Sequence, residues 1–554
     1  LEGCPRVKIA GPKEFFEDMG KNGGPKNTYV GELYFSAHRG TYTSQALMKR
    51  NNRKAEIIMR ELELWSVIAN TKGYEYPKYD IEKIWKTILL HQFHDILPGS
   101  CIKKVYDKAE KVFEGLFDNS NKLIKEAQSI IAERSNKTVS VFNSLGFSYE
   151  ALVELPNDFK YGGILSNGDY IHTDSYSGTV KALIKLPSCG AVSLKPADKR
   201  LISEDSNVTV VKNGSLFVME NSFVKAMINR QGQIISYVLK ESNREFATGI
   251  LNEFHIYKDV PRIFDAWDID SNYREQEITE VFSADTVVEA QGIEGVLCVR
   301  GKLNNSTLVQ KIRLAKNSKR LVFETEIDWN ELHKLLKVSF PVNVYSENVI
   351  NEIQFGYVER PTHRSKDFDK DRFEVCNHKY SALCDAHHGA AIINDCKYGM
   401  SANGNSLELT LLRAAASPDF RADNRVHRFT YAFTAWEGTF YDCDVVKQAY
   451  EINVKPTMLT DGKTDFSFMQ IENENIMLES VKLAEDGSGD IIARFYESKK
   501  SSVKSNIKIA SNNCSVFICD MMENIIEEIP IKNEMISVSF RAFEIKTIRF
   551  KIYR

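Results

Sequence analysis

The chain contains no CxxC pair, and its ten cysteines are scattered, with Cys514 and Cys519 the closest two. That excludes a disulfide frame and the common zinc-finger spacings. It is the usage expected of free thiols in a reducing cytoplasm. No apolar run approaches the ~20 residues that a membrane helix needs. The opening stretch LEGCPRVKIAGPKEFF lacks a basic segment followed by an apolar one, so no secretory signal is expected. A net charge of −3 gives no electrostatic ground for nucleic acid or an anionic membrane as partner. There is no HExxH and no internal repeat.

What is present is 554 residues, enough for several domains with their own cores. The stretch with most chemistry is His91–Ser100, HQFHDILPGS. It closes an amphipathic run from near Tyr79 in which Ile81, Ile84, Trp85, Ile88 and Leu89 recur at helical spacing. The spacing predicts that this helix carries the two histidines and that Pro98-Gly99 stops it. His91 and His94, three apart, would share one face. Two readings stay open: a partial metal site short of the three or four ligands zinc takes, or a helix end with satisfied histidines. Asp95 could equally accept from nearby backbone amides.

Helical periodicity predicts three long helices. The first spans about Ser44 to Ala69, the second carries HQFHD, and the third starts after Ser100, which would cap it, with a break at Asp118-Asn119-Ser120. Lys49, Arg50, Arg53 and Lys54 read as a solvated face or as contacts to carboxylates of a further, upstream domain. From about Asn136 the texture becomes short alternating runs separated by Asn167-Gly168, Asn213-Gly214 and Gln231-Gly232. This is β-sandwich material. Val454–Gly462 reads as a linker. At the start, Arg6–Ala10 reads as a strand and Pro12–Met19 as its helix. The predicted class is a multidomain α+β chain: an antiparallel three-helix bundle and several β-sandwiches, one of them a large central supersandwich, after a βα unit.

Five motifs carry a resemblance. They are HQFHDILPGS, Gly31–Ala46 (GELYFSAHRGTYTSQA), Asp259–Asp270 (DVPRIFDAWDID), Phe355–Glu374 (FGYVERPTHRSKDFDKDRFE), and Asn394–Gly399 (NDCKYG) with Arg413 and Pro418-Asp419 behind it. In order and in residues they resemble glycoside hydrolase family 38, the retaining α-mannosidases, in their cytosolic and bacterial branch. The resemblance implies residues 1–29 as the end of a catalytic α/β barrel that lies upstream. It further implies 30–135 as the helical middle domain, 136–203 as a small β domain, 204–445 as the large sandwich, and 455–554 as a C-terminal sandwich.

It also implies an aspartate nucleophile and a second carboxylic acid on that barrel. A zinc ion would grip two mannose hydroxyls. His94 would be one neutral-imidazole zinc ligand, and Asp95 would bind a substrate hydroxyl. His38, Arg39 and Tyr42 would line the same pocket, with Arg413 close by. His91 matches no ligand position. Asp265, Asp268 and Asp270 around Trp267 could bind sugar hydroxyls or a metal, or could satisfy their own loop. His172-Thr173-Asp174 matches the family's His-x-Asp only formally. The implied partners are a mannose-containing oligosaccharide and the barrel, with a homo-oligomer compatible. The chain alone is expected to be inactive and to hold zinc weakly or not at all. A carbohydrate-binding or assembly module, with Trp267 as its platform, is the alternative.

Overall fold

A computed structural model describes residues 3–176, 178–201, 207–278, 282–509 and 514–553. The proposed boundary at 203/204 falls outside the described residues. The chain forms two units, Leu1–Ser36 and Ala37–Arg554.

The first unit has one helix, α1 (Pro12–Lys21), with proline in its first turn and no buried residue. The strand expected at Arg6–Ala10 does not form, and Val7 and Ile9 are 92% and 100% exposed. A strand exists only through ladder bonds to a neighbour, and none of the described strands pairs with this segment.

The second unit begins with the bundle, α2 (Ala46–Asn70), α3 (Lys78–His91) and α4 (Lys103–Ile131). Helix α2 is its axis. Met59, Leu62, Trp65, Val67 and Ala69 are all fully buried, so α2 contacts neighbours on most of its faces. Trp65 meets Phe142 edge-on at 5.3 Å, joining the bundle to the first strand after it. Helix α4 runs unbroken through Asp118-Asn119-Ser120. The propensity cost of those residues is a few tenths of a kcal/mol each. Burying Phe113, Leu116, Leu123 and Ile124 on its inner face returns about 1.5–3 kcal/mol apiece. Ser120 is itself buried. Ser100 does not cap α4, because its hydroxyl donates to Asp95 Oδ1 at 2.7 Å.

Helix α4 leads directly into the strand Glu133–Asn143. That strand pairs on one side with Gly190–Pro196 and on the other with Thr457–Lys463. The expected linker is therefore largely an edge strand, in register Val139↔Thr460. The sequence misled because Pro456 precedes the strand and Asp461-Gly462 lies inside it. A three-stranded sheet, 149–155, 179–186 and 173–176, covers the first, and the two share the core of Val141, Ala151, Val153 and Ile184.

The large sandwich has a nine-stranded antiparallel sheet facing a six-stranded one that contains 253–258, 334–341 and 406–413. Phe323, Tyr431 and Phe433 of the first meet Phe340 of the second, Phe340 stacking on Phe433 at 5.3 Å. A shorter five-stranded sheet precedes them. The C-terminal sandwich, with sheets of three and five strands, shares one continuous apolar core with the bundle. A last helix, Val445–Asn453, packs with Met477 and Tyr496 and so ties the two sandwiches together. Among the described residues no helix is long and apolar enough to cross a membrane, and all ten cysteines are free thiols.

Acids on α2 raised by burial, among them Glu61 and Glu63, make the bundle pH-sensitive. Glu63 on α2 accepts from Trp85 Nε1 at 3.0 Å, and burial pushes its carboxyl up to about 7. Between the ordinary value of 4.5 and about 7 the folded state then holds more protons than the unfolded one. This group's contribution to stability therefore falls as pH rises through that window. Glu63→Gln should gain stability relative to the parent between pH 5 and pH 8, by about 1–3 kcal/mol. Denaturant midpoints at the two pH values measure it, and a pH-independent difference would contradict it.

Candidate functional site

Helix α3 ends at His91, not at Pro98, so His91 and His94 do not share a helical face. Residues 92–99 form a turn. Three things pull them off the helix path. The residue before a proline is disfavoured in α conformation. The Gln92 amide donates back to α2, to Asn52 Oδ1 at 3.0 Å and Glu56 Oε1 at 2.9 Å. The Lys49 ammonium donates to the carbonyls of Leu97 (2.8 Å) and Pro98 (3.1 Å). His94 stands at the outside of this turn with its side chain 76% exposed, its ring tilted against Phe93 at 4.3 Å between centroids. Its Nε2 lies 3.5 Å from Asp95 Oδ2, and the other Asp95 oxygen is held by Ser100. His91 is turned inward: Nδ1 bonds the Thr87 carbonyl and the ring meets Phe113.

The other motifs are tied to this turn through buried groups. Lys49 also donates to the Ser44 carbonyl. Ser44 Oγ donates to Ala266 O at 2.7 Å and accepts from Arg413 Nη1 at 2.8 Å. Arg413 then donates to Asp259 Oδ2 (2.7 Å) and to the carbonyls of Asp265 (2.9 Å), Ala266 (3.1 Å) and Asp268 (2.6 Å). Two glycines permit the approach. A Cβ on Gly99, whose φ is +95°, would sit 2.3 Å from Ser44 O, and one on Gly40 would sit 2.0 Å from Arg413 Nη1. Asp423 completes the mount by accepting from the amides of Gln45 (2.8 Å) and Ala46 (2.7 Å) at the start of α2. Burial pulls the Lys49 ammonium down, with the Asp423 carboxylate opposing the shift. Burial pushes the Asp259 carboxyl up against the pull of Arg413.

Several expected roles change. Arg413 is fully buried and its guanidinium is spent on its own chain, so it braces the loop and does not reach a substrate. Asp265 is likewise a brace: Oδ2 accepts from the amides of Ala416 and Ser417, and the side chain is 14% exposed. Asp270 accepts from the amide of Arg262 in its own loop, and Asp268 accepts from the amide of Arg39 in a neighbouring one, so these two acids of the patch tie backbone. Arg39 lies buried over the Phe373 ring at 4.4 Å, donating to the Asp371 carbonyl. The basic cluster on α2 is no solvated face, since Lys49 and Arg53 are buried and Arg53 donates to Asn394 and Tyr398. His38, Tyr42, His94 and Asp95 keep access to solvent. Sequence reasoning missed Ser44, Lys49, Asp259 and Asp423 as supports. Ser44 and Asp259 lay inside the quoted motifs, and motif membership was their one signal.

Among the described residues no group of three or more His, Cys, Asp or Glu side chains is placed to hold a metal ion. His94 and Asp95 offer two donors where a zinc site uses about four. The residues present do not by themselves fit a zinc ion.

Three family models match: the alpha mannosidase middle domain over residues 36–131, the glycosyl hydrolases family 38 C-terminal domain over 219–421, and the family 38 C-terminal beta sandwich domain over 475–548. The chain belongs to glycoside hydrolase family 38. It is 31% identical to human "Alpha-mannosidase 2C1" and 30% identical to "Alpha-mannosidase G" of Dictyostelium discoideum. Each match covers 99% of this chain, against 53% and 55% of those proteins, so the chain spans about half the length of these relatives. A crystal structure of an alpha-mannosidase from Enterococcus faecalis V583 superposes with a TM-score of 0.81 at 15% identity, over 98% of this chain and 72% of that one. That likeness establishes the fold.

The brace can be broken singly. Arg413→Met would leave the buried Asp259 carboxylate unpaired and three carbonyl bonds unmade, at a cost of about 3–5 kcal/mol. Chemical denaturation of the two proteins reads this directly. A loss under about 1 kcal/mol would show that the network does not hold the site.

Proposed function

We propose that this chain is the bundle-and-sandwich portion of a retaining, zinc-dependent α-mannosidase that hydrolyses terminal α-mannosides of glycans. The observation that carries the reading is the exposed His94–Asp95 pair, mounted on a turn fixed from behind by Lys49, Ser44 and Arg413. Such rigid support is what a group needs when it must meet a ligand in one geometry. The family membership and the names of the relatives agree with it.

In this reading His94 contributes one imidazole nitrogen to a zinc site whose remaining ligands come from elsewhere in the enzyme. Asp95, with one oxygen held by Ser100, accepts from a sugar hydroxyl with the other. His38 and Tyr42 flank the sugar. Arg39, Asp265 and Arg413 act behind them by fixing the loops. A retaining mechanism needs a nucleophile and an acid about 5–5.5 Å apart. Both are assigned to a barrel segment, which makes this chain inactive by itself. Trp267 gives the binding-module alternative little support, since the ring is half-buried and meets Phe264 edge-on.

After exhaustive dialysis the 554-residue chain should retain far less than one zinc per molecule. Stoichiometric zinc by elemental analysis would overturn the partial-site assignment. In a polypeptide of the relatives' full length, His94→Ala should lower kcat/KM on an aryl α-mannoside by about 100-fold or more and loosen zinc. Unchanged activity and zinc content would remove His94 from the site.

A further inference from the structure

A cavity between the bundle and the C-terminal sandwich has no part in the site described above. It measures about 840 Å³ and is bounded by α2, α3 and the turns at 484–489 and 521. That is within the roughly 300–1,000 Å³ of small-molecule sites. A narrower chamber of about 100 Å³ adjoins it, with Glu56, Arg60 and Glu479 lining both.

The wall is built for a ligand of particular chemistry. Trp85 lines it half-buried, the indole fixed in place because Nε1 donates to Glu63. An aromatic face beside fixed polar groups suits the apolar face of a sugar ring. Five carboxylates and five Lys or Arg side chains border the cavity, so it favours neither an anion nor a cation. Such mixed donors and acceptors suit hydroxyl groups, which both donate and accept. The inner chamber supplies an independent sign. Arg53 Nη2, Arg60 Nε and Asn453 Oδ1 are buried without a hydrogen-bond partner, and all three residues line it. They belong to side chains 4%, 8% and 3% exposed. Each such atom costs about 1–3 kcal/mol unless something polar meets it.

We infer that this two-chambered cleft binds a neutral pyranose sugar, its ring against Trp85 and its hydroxyls toward Glu63, Arg494 and the inner polar atoms. The choice of a mannoside as first ligand rests on the function proposed above, while the cleft and its charge balance do not. Gln92, two residues before His94, also lines the cavity and is the shortest covalent route between the two places.

The experiment is calorimetric titration of the whole chain with methyl α-mannoside and with an α-linked mannobiose, glucose serving as a second neutral pyranose. Four variants are compared: Trp85→Ala, Trp85→Phe, Arg494→Ala and His94→Ala, each checked for fold by circular dichroism. Saturable binding is expected in the parent and in His94→Ala. Trp85→Ala should weaken it about tenfold or more, Arg494→Ala should weaken it several-fold, and Trp85→Phe should keep most of it. Binding that survives Trp85→Ala and Arg494→Ala overturns the inference. If the same binding is lost in His94→Ala, the sugar sits at the His94 turn, and the proposed function stands while this site falls. No saturable binding of any of the three sugars at tens of millimolar also overturns it. Glucose binding equal to mannoside binding supports the cleft and leaves the mannoside reading to its own test.

Discussion

Two buried cations, Lys49 and Arg413, hold this site by donating to main-chain oxygen. Lys49 reaches the carbonyls of Ser44, Leu97 and Pro98, and Arg413 reaches those of Asp265, Ala266 and Asp268. Loops carry many carbonyls with no ladder partner, and burying them unpaired is costly. A guanidinium with five donors in a plane can satisfy several at once and fix their mutual positions. Ser44 stands between the two cations and bonds to both. Segments more than 300 residues apart in sequence are thereby held within a few ångströms, and the two close-packed glycines leave the network no slack.

The arrangement separates two tasks that the sequence motifs run together. In HRGTYTS, Arg39 and Ser44 are buried supports, while His38 and Tyr42 keep access to solvent. In HQFHD, Asp95 and His94 face outward and Gln92 points back to α2. In DAWDID, the acids accept from loop amides. Motif residues are thus a mixture of groups that can touch a ligand and groups that aim them. Charge alone does not tell the two apart, because Arg413 and Asp265 have the chemistry of ligand groups and the burial of core.

The element types were legible where periodicity was long. Helices α2 and α4 fell close to their expected spans because apolar residues recur at helical spacing through both. The strands from 139 onward were legible through alternation and turn pairs. Failures came where a distant partner decides. Thr457–Lys463 is a strand because Glu133–Asn143 offers it an edge, and Arg6–Ala10 is not one for want of such an edge. The end of α3 was misplaced because bonds to α2, from Gln92 to Asn52 and Glu56 and from Lys49 to the Leu97 and Pro98 carbonyls, hold residues 92–99 in a turn. The site itself was legible only through resemblance, since Ser44, Asp259 and Asp423 are ordinary residues until the fold brings them together.

The central claim is that the His94 turn and its neighbouring loops are rigid because buried cations and Asp423 tie them to the bundle. Native-state hydrogen exchange of individual amides tests this most directly. The amides of Gln45 and Ala46, which donate to Asp423, and of Ser100 and Ala416, bonded to Asp95 O and Asp265, should exchange as slowly as those in the middle of α2. Exchange at the rate of an open surface loop would contradict the account.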